Sequence, residues 1–225
     1  MPEIKSYQNT KKTKLFDIEM ILDQKRGQLL LKRIFDILIS FIGLVALCPL
    51  LLIIAIIIKI DSMGPIFFKQ VRVGKCGEEF KIYKFRTMIL DAENKGMQIT
   101  VGKDKRITKS GHILRKTKLD ELPQLINVFK GDMSFVGPRP EVPKYVALYD
   151  NQQKNILRVR PGITDLASIE YRDENTLLAK SNDPEKTYIE EIMIKKIELN
   201  IEYLSKMSVL YDIKLILKTI LVIMK

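Results

Sequence analysis

The run ILISFIGLVALCPLLLIIAIII at residues 37–58 contains no charged side chain, and its 22 residues decide how the chain is organised. A continuous helix of that length, at about 1.5 Å per residue, spans roughly 33 Å, which is enough to cross the hydrocarbon core of a bilayer. The run is too long, and begins too far into the chain, for a signal peptide. It therefore predicts a helical membrane element.

Pro49 interrupts this run near its middle, because proline has no N–H and leaves the carbonyl of Val45 without its helical partner. The halves 37–48 and 50–58 each have the length of a re-entrant or interfacial segment. Cationic side chains flank both ends, namely Lys32, Arg33 and Lys59. Because the positive-inside bias then marks no outer end, the residues alone allow a kinked single span or a hairpin that dips into one leaflet. For Asp36, we expect an ion pair with Arg33 at headgroup level or a position in the interface.

Positive charge is concentrated directly after the apolar run. The chain has 38 Lys and Arg against 27 Asp and Glu, and residues 69–118 alone contain 14 of the former and 5 of the latter. Since this block is also rich in Val, Ile, Phe and Tyr, it is not a disordered tail, and it predicts an anionic partner: nucleic acid, anionic lipid or a phosphorylated substrate. Two cysteines exclude a disulfide framework, and a single histidine disfavours a His-based metal site or a Ser/His/Asp triad.

The remaining pattern predicts an α+β fold that is mainly helical. Two strands, IFFKQVRV and FKIYKFRTM, form a β-hairpin in which Phe80, Ile82 and Phe85 are offset from the cationic residues Lys81, Lys84 and Arg86. Helices are expected at 111–117 with Ser110 as N-cap, at 120–129 with Pro123 in the first turn, and at 141–157, 184–206 and 208–225. The last helix is amphipathic and suits either the membrane interface or the core.

Asp120 and Glu121 are adjacent carboxylates that follow Arg115, Lys116 and Lys118. Such a pair commonly satisfies the exposed N–H groups at a helix start. The alternative is a carboxylate nucleophile beside a carboxylate that binds a divalent metal. Phosphoryl transfer requires a group that attacks phosphorus, a divalent cation, and further cations for the spread negative charge.

Four arginines supply candidate phosphate-binding groups in or beside predicted turns: Arg86, Arg115, Arg139 and Arg160. Prolines restrict the backbone around two of them, in GPRP at 137–140 and RPG at 160–162. The planar guanidinium binds phosphate in a bidentate fashion. A surface salt bridge explains any one of these arginines by itself, whereas the four together beside a membrane element favour a phosphate site.

Several segments resemble the bacterial sugar transferases, the monotopic polyprenyl-phosphate phosphoglycosyl transferases that initiate glycan synthesis. These segments are KRIFDILIS (32–40), GPIFFKQVRVG (64–74), KIYKFRTM (81–88), LRKTKLDELPQLINVFKGDMSFVGPRP (114–140) and VRPGIT (159–164). The resemblance runs from about residue 30 to the end of the chain. The sequence shows no counterpart of the additional N-terminal membrane region of larger family members, so we expect the small form of these transferases.

The resemblance implies transfer of a phosphosugar from a nucleotide sugar, usually a UDP-sugar, to a polyprenyl phosphate such as undecaprenyl phosphate, with release of UMP. It gives Asp120 the role of nucleophile that holds the phosphosugar covalently, and gives Glu121 a role in binding Mg²⁺. Arg86, Arg115, Arg139 and Arg160 are then expected on the phosphate side. The alternative is a non-enzymatic, membrane-anchored basic adaptor; the carboxylate pair and the lack of tryptophan disfavour a nucleic-acid partner.

The family's re-entrant helix, broken at a proline, favours the hairpin at Pro49 and a position on the cytoplasmic face of the bacterial inner membrane. We expect an N-terminal extension (1–30), the re-entrant helix (31–60) and a cytoplasmic catalytic domain with interfacial helices (61–225). Two departures from the family pattern stand out. Cys48 replaces the usual Ser before the proline, and Asp165–Ser168 replace a Gly and an Ala-Gln pair, which puts the usual sugar contacts of that loop in doubt.

Overall fold

The structure, a computed structural model, describes residues 20–92 and 104–224. Residues 1–19 of the expected N-terminal extension and the polar loop at 93–103 lie outside the described residues. The described chain is mainly helical with two small two-stranded sheets, which agrees with the expected class.

In chain order the helices are α1 Arg26–Ala46, α2 Cys48–Asp61, α3 Lys109–Thr117, α4 Gln124–Lys130, α5 Pro143–Val146, α6 Leu166–Glu170, α7 Glu174–Ala179, α8 Pro184–Thr187, α9 Met193–Lys206 and α10 Val209–Met224. The strands are β1 Phe67–Val73, β2 Glu79–Phe85, β3 Ser134–Val136 and β4 Gly162–Thr164. Short 3-10 turns cover Lys75–Gly77, Leu119–Glu121 and Gln153–Arg158, and a π-helical turn, Tyr188–Ile192, joins α8 to α9.

The apolar run forms the second half of α1 and most of α2. The first helix ends at Ala46, Leu47 forms the turn, and Pro49 lies in the first turn of α2, where its missing N–H has no helical partner to lose. The chain direction changes by 61° at this break. No described helix is long and apolar enough by itself to cross a membrane, whereas α1 and α2 together satisfy the requirement.

Two charged side chains of α1 anchor its first half to the folded body. The Lys32 ammonium donates to the carboxylate of Asp212 in α10, and both side chains are buried. Asp36 is 2% exposed and accepts at Oδ1 from Phe135 N of β3 at 3.1 Å. The expected pairing of Asp36 with Arg33 is wrong, because Asp36 is buried against the strand and the Arg33 guanidinium donates to main-chain carbonyls of α4. The alternative, a position in the membrane interface, stays a prediction.

The far end of α2 is anchored to the same body. Asp61 Oδ2 accepts from Ser110 N at 3.0 Å and from Ser110 Oγ at 2.7 Å, which joins α2 to the start of α3. Ser110 is therefore not the N-cap that the sequence predicts. Thr108 takes that place, since its Oγ1 accepts from Gly111 N at 3.0 Å.

The predicted β-hairpin is confirmed, with Phe67 opposite Phe85 and Val73 opposite Glu79. Its expected cationic face is wrong for two of three residues, because Arg86 is 5% exposed and the Lys84 side chain is 18% exposed. Strict strand alternation explains Lys84, which shares a face with Phe80 and Ile82 rather than opposing them. A second sheet was not expected: β3 pairs in parallel with β4.

Three of the five predicted helices are confirmed: 111–117 as α3, 184–206 as α8 to α9, and 208–225 as α10. The predicted helix at 120–129 is divided into the turn Leu119–Glu121 and α4, with Pro123 as N-cap. The predicted helix at 141–157 is also interrupted, because the Asp150 carboxylate accepts from the N–H groups of the next turn and competes with helix formation.

The terminal helix α10 has one face in the core and one exposed apolar face, which combines the two positions that its sequence allows. Asp212 and Leu215 are buried beside Tyr203 of α9, whose hydroxyl donates to Asp212 Oδ1 at 2.8 Å. The opposite face leaves large apolar side chains exposed, namely Leu210, Ile213, Leu217, Ile220 and Leu221. One face therefore belongs to the core and the other remains without a partner among the described residues.

Asn127 of α4 is fully buried and covers the free edge of β2. Its Oδ1 accepts from Tyr83 N at 2.9 Å, and its Nδ2 donates to Lys81 O at 2.9 Å and to Asp132 Oδ2 at 3.1 Å. The side-chain amide offers the donor and acceptor that a neighbouring strand would offer, so the Tyr83 N–H and the Lys81 carbonyl at this edge are satisfied.

Asn127→Ala should destabilise the protein by about 2–4 kcal/mol, because it leaves buried main-chain groups of β2 unpaired. Urea unfolding of the detergent-solubilised protein measures the change. Asn175→Ala, an amide removed from an exposed position of α7, is the control and should change the free energy of unfolding by less than about 0.5 kcal/mol. A loss no larger for Asn127→Ala than for the control would contradict the role of the amide.

Candidate active site

Asp120 and Glu121 lie inside the protein, in the 3-10 turn between α3 and α4. Lys118 adopts a left-handed conformation with φ of 58°, which ends α3 and turns the chain into this segment. Asp120 is 7% exposed, and the Glu121 side chain is 12% exposed. The next helix begins after Pro123 without a side-chain cap hydrogen bond. Neither carboxylate therefore caps α4, which removes the simpler of the two explanations of this pair.

Glu121 is held by two cations from different parts of the fold. Its Oε1 accepts from Lys84 Nζ at 2.8 Å and from Arg139 NH2 at 2.7 Å. Burial by itself would raise the pKa of Glu121, but Arg139 and Lys84 outweigh it and hold that pKa well below the usual range. Glu121 is therefore a fixed negative charge.

Asp120 has the opposite environment. Its Oδ1 is buried and accepts no hydrogen bond from the described residues. Burial, followed by the neighbouring charge of Glu121, raises the pKa of Asp120 above that of an ordinary aspartate, against the opposing effect of Lys84, Lys118 and Arg115. The two adjacent carboxylates thus have pKa values displaced in opposite directions, a pattern typical of catalytic carboxylate pairs. Asp120 is the poorly solvated one, and no hydrogen bond restrains its buried oxygen.

Lys84 is the site residue that the sequence analysis missed as a candidate. Its ammonium bonds to Glu121, and burial lowers its pKa against the opposing effect of that carboxylate. The alternation of Phe80, Ile82 and Lys84 along β2 was the available signal. A lysine in register with buried apolar residues needs an anion inside the protein.

Two of the four predicted arginines lie at this pair. Arg139 bonds to Glu121, and its side chain remains 32% exposed, so part of its guanidinium is open to solvent. Arg115 donates from Nε to Thr87 Oγ1 at 3.0 Å; burial lowers its pKa, and the nearby charge of Asp120 opposes that shift. Arg139 thus contacts Glu121, and Arg115 is close enough to Asp120 for their charges to interact.

The loop that carries Arg139 is fixed by the parallel pairing of β3 and β4. Gly137 N donates to Thr164 O at 3.1 Å, and Gly162 N donates to Pro138 O at 3.0 Å. A Cβ at Gly137 would lie 2.4 Å from Arg160 O, so only glycine permits this close approach. The GPRP segment is therefore held rigidly against RPGIT, and Arg139 is directed at Glu121.

The other two predicted arginines have different positions. The terminal nitrogens of Arg86 donate to Ser62 O at 2.6 Å and to Met63 O at 2.7 Å, which fixes the chain directly after α2. Arg160 donates from Nε to Gly131 O at 2.8 Å, at the end of α4 opposite the carboxylate pair. Phosphate binding by these two residues stays a prediction.

Asp165, one of the departures from the family pattern, has a local structural role. It is 1% exposed, and its Oδ1 accepts from Ser168 N at 2.7 Å, which makes it the N-cap of α6. An aspartate in this place stabilises the helix that follows the RPGIT segment.

Metal binding by protein groups alone is limited at this site. No group of three or more His, Cys, Asp or Glu side chains that could hold a metal occurs within residues 20–92 and 104–224. The pair nevertheless has free acceptors, since Asp120 Oδ1 is unpaired and both cations on Glu121 bind Oε1. This fits the usual coordination of Mg²⁺ in proteins, in which one or two protein carboxylates bind the ion and substrate phosphates and water complete its coordination shell.

Residues 27–225 match the family described as bacterial sugar transferase, and the chain belongs to that family. The chain is 38% identical over 193 residues to the UDP-N-acetylgalactosamine-undecaprenyl-phosphate N-acetylgalactosaminephosphotransferase of Aeromonas hydrophila, which covers 84% of this chain and 43% of that protein. It is also 38% identical over 195 residues to the UDP-glucose:undecaprenyl-phosphate glucose-1-phosphate transferase of Escherichia coli K12, covering 85% and 39% respectively.

A third relative is the exopolysaccharide production protein PSS of Rhizobium leguminosarum bv. phaseoli, 39% identical over 201 residues that cover 85% of this chain and 94% of that protein. The chain thus spans about two fifths of the length of the first two relatives and nearly all of the third. The family resemblance expected from the sequence is confirmed.

Asp120→Asn should stabilise the metal-free protein at pH 7. A carboxyl whose pKa is raised on folding contributes stability that is complete below its unfolded pKa, about 3.9, and is lost as pH rises through the folded pKa. At neutral pH the ionised, buried Asp120 therefore destabilises the fold, and the neutral amide removes that effect. Thermal unfolding in the presence of EDTA measures the difference in midpoint between Asp120→Asn and the natural protein. This difference should shrink as the pH falls toward 4. A less stable Asn variant at pH 7 would contradict the assigned direction of the shift.

Proposed function

We propose that this protein transfers a phosphosugar from a UDP-sugar to undecaprenyl phosphate, which gives undecaprenyl-diphosphate-sugar and UMP and starts the synthesis of a glycan. The observation that carries the proposal is the pair of unlike carboxylates: Asp120 is buried with an unpaired oxygen, and Glu121 is neutralised by Lys84 and Arg139. The names of the relatives support the substrate classes.

In the first step, an oxygen of the Asp120 carboxylate attacks the phosphorus that carries the sugar. A bond forms between that oxygen and phosphorus, and the phosphorus–oxygen bond to the bridging oxygen of the diphosphate breaks. UMP leaves with the bridging oxygen and its electron pair. Poor solvation makes Asp120 a better nucleophile than an exposed carboxylate, because few interactions must be broken before attack.

In the second step, an oxygen of the lipid phosphate attacks the same phosphorus. The bond to Asp120 breaks, the carboxylate is regenerated, and the phosphosugar is now part of a diphosphate on the lipid. Arg139 and Arg115 hold the phosphate oxygens in both steps, since each lies beside the carboxylate pair and offers a planar donor group. Lys84 keeps Glu121 ionised throughout.

Mg²⁺ would be held by Glu121, whose two cation partners both bind Oε1, together with the donor phosphate. When bound, the ion neutralises developing charge on the phosphate oxygens. Glu121 keeps a fixed charge for this purpose because its pKa lies well below neutrality.

The apolar helix pair forms a re-entrant hairpin on the cytoplasmic face of the inner membrane. Both ends are tied to one folded body, through Lys32 and Asp36 in α1 and through Asp61 in α2, which supports flanks on the same side. Each leg of the apolar run rises about 15 Å. If the two apolar halves are tilted equally into the membrane, the 61° bend places Leu47 about 8 Å deeper than their outer ends at residues 37 and 58. That depth lies within one leaflet, whose hydrocarbon part is about 15 Å thick. The exposed face of α10 lies in the interface beside it.

Asp120→Asn should abolish UMP release and the covalent adduct, because an amide is no nucleophile toward phosphorus. Purified protein is incubated with a panel of UDP-sugars, Mg²⁺ and undecaprenyl phosphate, and UMP is quantified. The adduct is measured by intact-protein mass after donor is added without lipid.

Glu78→Gln, the same chemical change at an exposed position in the hairpin turn, is the control and should behave like the natural protein. Absence of UMP from the natural protein with every donor would overturn the proposed activity. An adduct that persists in Asp120→Asn would move the nucleophile elsewhere.

Membrane topology is tested with three proteins that each carry one cysteine: Cys76 alone, Gln28→Cys alone and Met63→Cys alone. All three positions are exposed, and Cys76 marks the side of the catalytic body. A membrane-impermeant maleimide is applied to spheroplasts and to inverted vesicles. The re-entrant hairpin requires that all three react only in inverted vesicles, whereas reaction of residues 28 and 63 from opposite sides would establish a span.

A further inference from the structure

Two arginines meet at the C-terminal end of α4, away from the carboxylate pair. Arg33 of α1 donates to Val128 O at 2.7 Å and to Phe129 O at 3.0 Å, while Arg160 donates from Nε to Gly131 O at 2.8 Å. Gly131 has a φ of 102°, and a Cβ there would lie 3.1 Å from Arg33 NH2. Both guanidinium groups thus approach the same glycine.

No carboxylate forms an ion pair with either arginine within the part of the chain that the structure describes. The ion pairs found there do not include Arg33 or Arg160, and the two terminal nitrogens of Arg160 donate to no described residue. Burial and the charge of Arg160 lower the pKa of Arg33, and the charges of Asp36 and Asp132 oppose that shift without cancelling it. The carbonyls at a helix end supply only about half a negative charge. Two like charges held close together repel each other, so this arrangement favours an external anion.

An exposed apolar strip begins at these arginines. Arg33, Ile37 and Phe41 follow at intervals of four along one face of α1, and the two apolar residues are 37% and 56% exposed. The Phe41 ring lies 6.1 Å from the ring of Phe129, which is itself 44% exposed and supplies one of the carbonyls bound by Arg33. A ligand that matches both features has an anionic head and a hydrocarbon tail.

We propose that the phosphate of the lipid acceptor binds between Arg33 and Arg160 and that its first isoprene units lie along the face of α1 that contains Ile37 and Phe41. This inference rests on the proposed function, and it separates the predicted phosphate-binding arginines into two sites. Arg115 and Arg139 serve the donor diphosphate at Asp120, and Arg160 with Arg33 serves the acceptor.

The position fits a reaction in two steps. The donor occupies the carboxylate pair until UMP leaves, so an acceptor that is already bound needs a place outside that pair. The end of α4 lies about 10 Å along the helix from its start beside the carboxylates. The lipid phosphate thus binds first at Arg33 and Arg160, and it moves along α4 to the carboxylate pair once the phosphosugar is bound to Asp120.

The test measures the two half-reactions separately in neutral detergent for Arg160→Gln, Arg160→Lys and Arg33→Gln. The KM for undecaprenyl phosphate should rise about tenfold or more in each Gln variant, because a charge-assisted phosphate contact is lost. The KM of Arg160→Lys should lie between those of the natural protein and Arg160→Gln, since lysine keeps the charge but lacks the planar, forked donor group of arginine. The burst of UMP produced by donor alone should keep its amplitude and rate.

Arg26→Gln is the matched control, because Arg26 is an exposed arginine on the same helix and its ion pair within the described residues is with Asp23. It should leave both half-reactions unchanged. Thermal unfolding separates a folding defect of Arg33→Gln, whose guanidinium also satisfies carbonyls of α4, from a binding defect; Arg160→Gln keeps those carbonyls satisfied. An unchanged KM for lipid, or a UMP burst that falls in parallel with turnover, would overturn the assignment.

Binding is also measured without turnover, by the shift in unfolding temperature on adding farnesyl phosphate or farnesol. Farnesyl phosphate should raise the midpoint of the natural protein more than farnesol does, and Arg160→Gln should lose that difference. This arm stands even if no donor supports UMP release, so failure of the proposed function and failure of this site are distinguishable. Arg160→Gln could instead lose binding to phosphatidylglycerol vesicles while its farnesyl phosphate binding and its KM for undecaprenyl phosphate stay unchanged. That result would show that the site binds bulk phospholipid headgroups and would overturn the proposal.

Discussion

The contact of Glu121 with Lys84 and Arg139 holds the catalytic half of the molecule together. One carboxylate oxygen joins β2, the turn after α3 and the GPRP loop, three segments distant in the chain. Charges buried in this way are tolerated only when paired, so the loss of Glu121 would leave two uncompensated cations inside the protein. The same contact leaves Asp120 as the carboxylate without a partner for its buried oxygen. The ion-paired carboxylate and the proposed nucleophile are thus neighbouring residues with opposite environments.

A second constraint ties the membrane element to that body. Lys32 and Asp36 fix the first half of α1, and Asp61 fixes the end of α2, so the apolar turn between them projects from a rigid base. The arginine after Lys32 closes the end of α4 instead of joining this anchor. Helix α4 therefore connects the base of the apolar helix pair at one end with the carboxylate pair at the other. In the proposed reaction, a lipid phosphate and a soluble nucleotide sugar would meet along that helix.

Much of the site could be predicted from the sequence, and the failures have a common cause. The Asp120 and Glu121 pair, Arg115 and Arg139 were identified, because turn residues and prolines mark where polar groups converge. Lys84 was missed, since a lysine in a strand is read as exposed unless its register with Phe80 and Ile82 is weighed. Arg86 and Arg160 were placed with the others, although their main partners are carbonyls of Ser62, Met63 and Gly131. Only the pairing of distant segments settles which cation meets which acceptor.

By itself the sequence determined the apolar helical element, its break near Pro49, the β-hairpin and the family, because hydrophobic periodicity, proline geometry and long motifs are local properties. The tertiary structure alone decided that Asp36 binds the backbone of Phe135 rather than Arg33, that β3 and β4 pair, and that the pKa values of the two carboxylates are displaced in opposite directions. Burial and the approach of charges from distant segments determine these features. Neither is encoded in the spacing of residues along the chain.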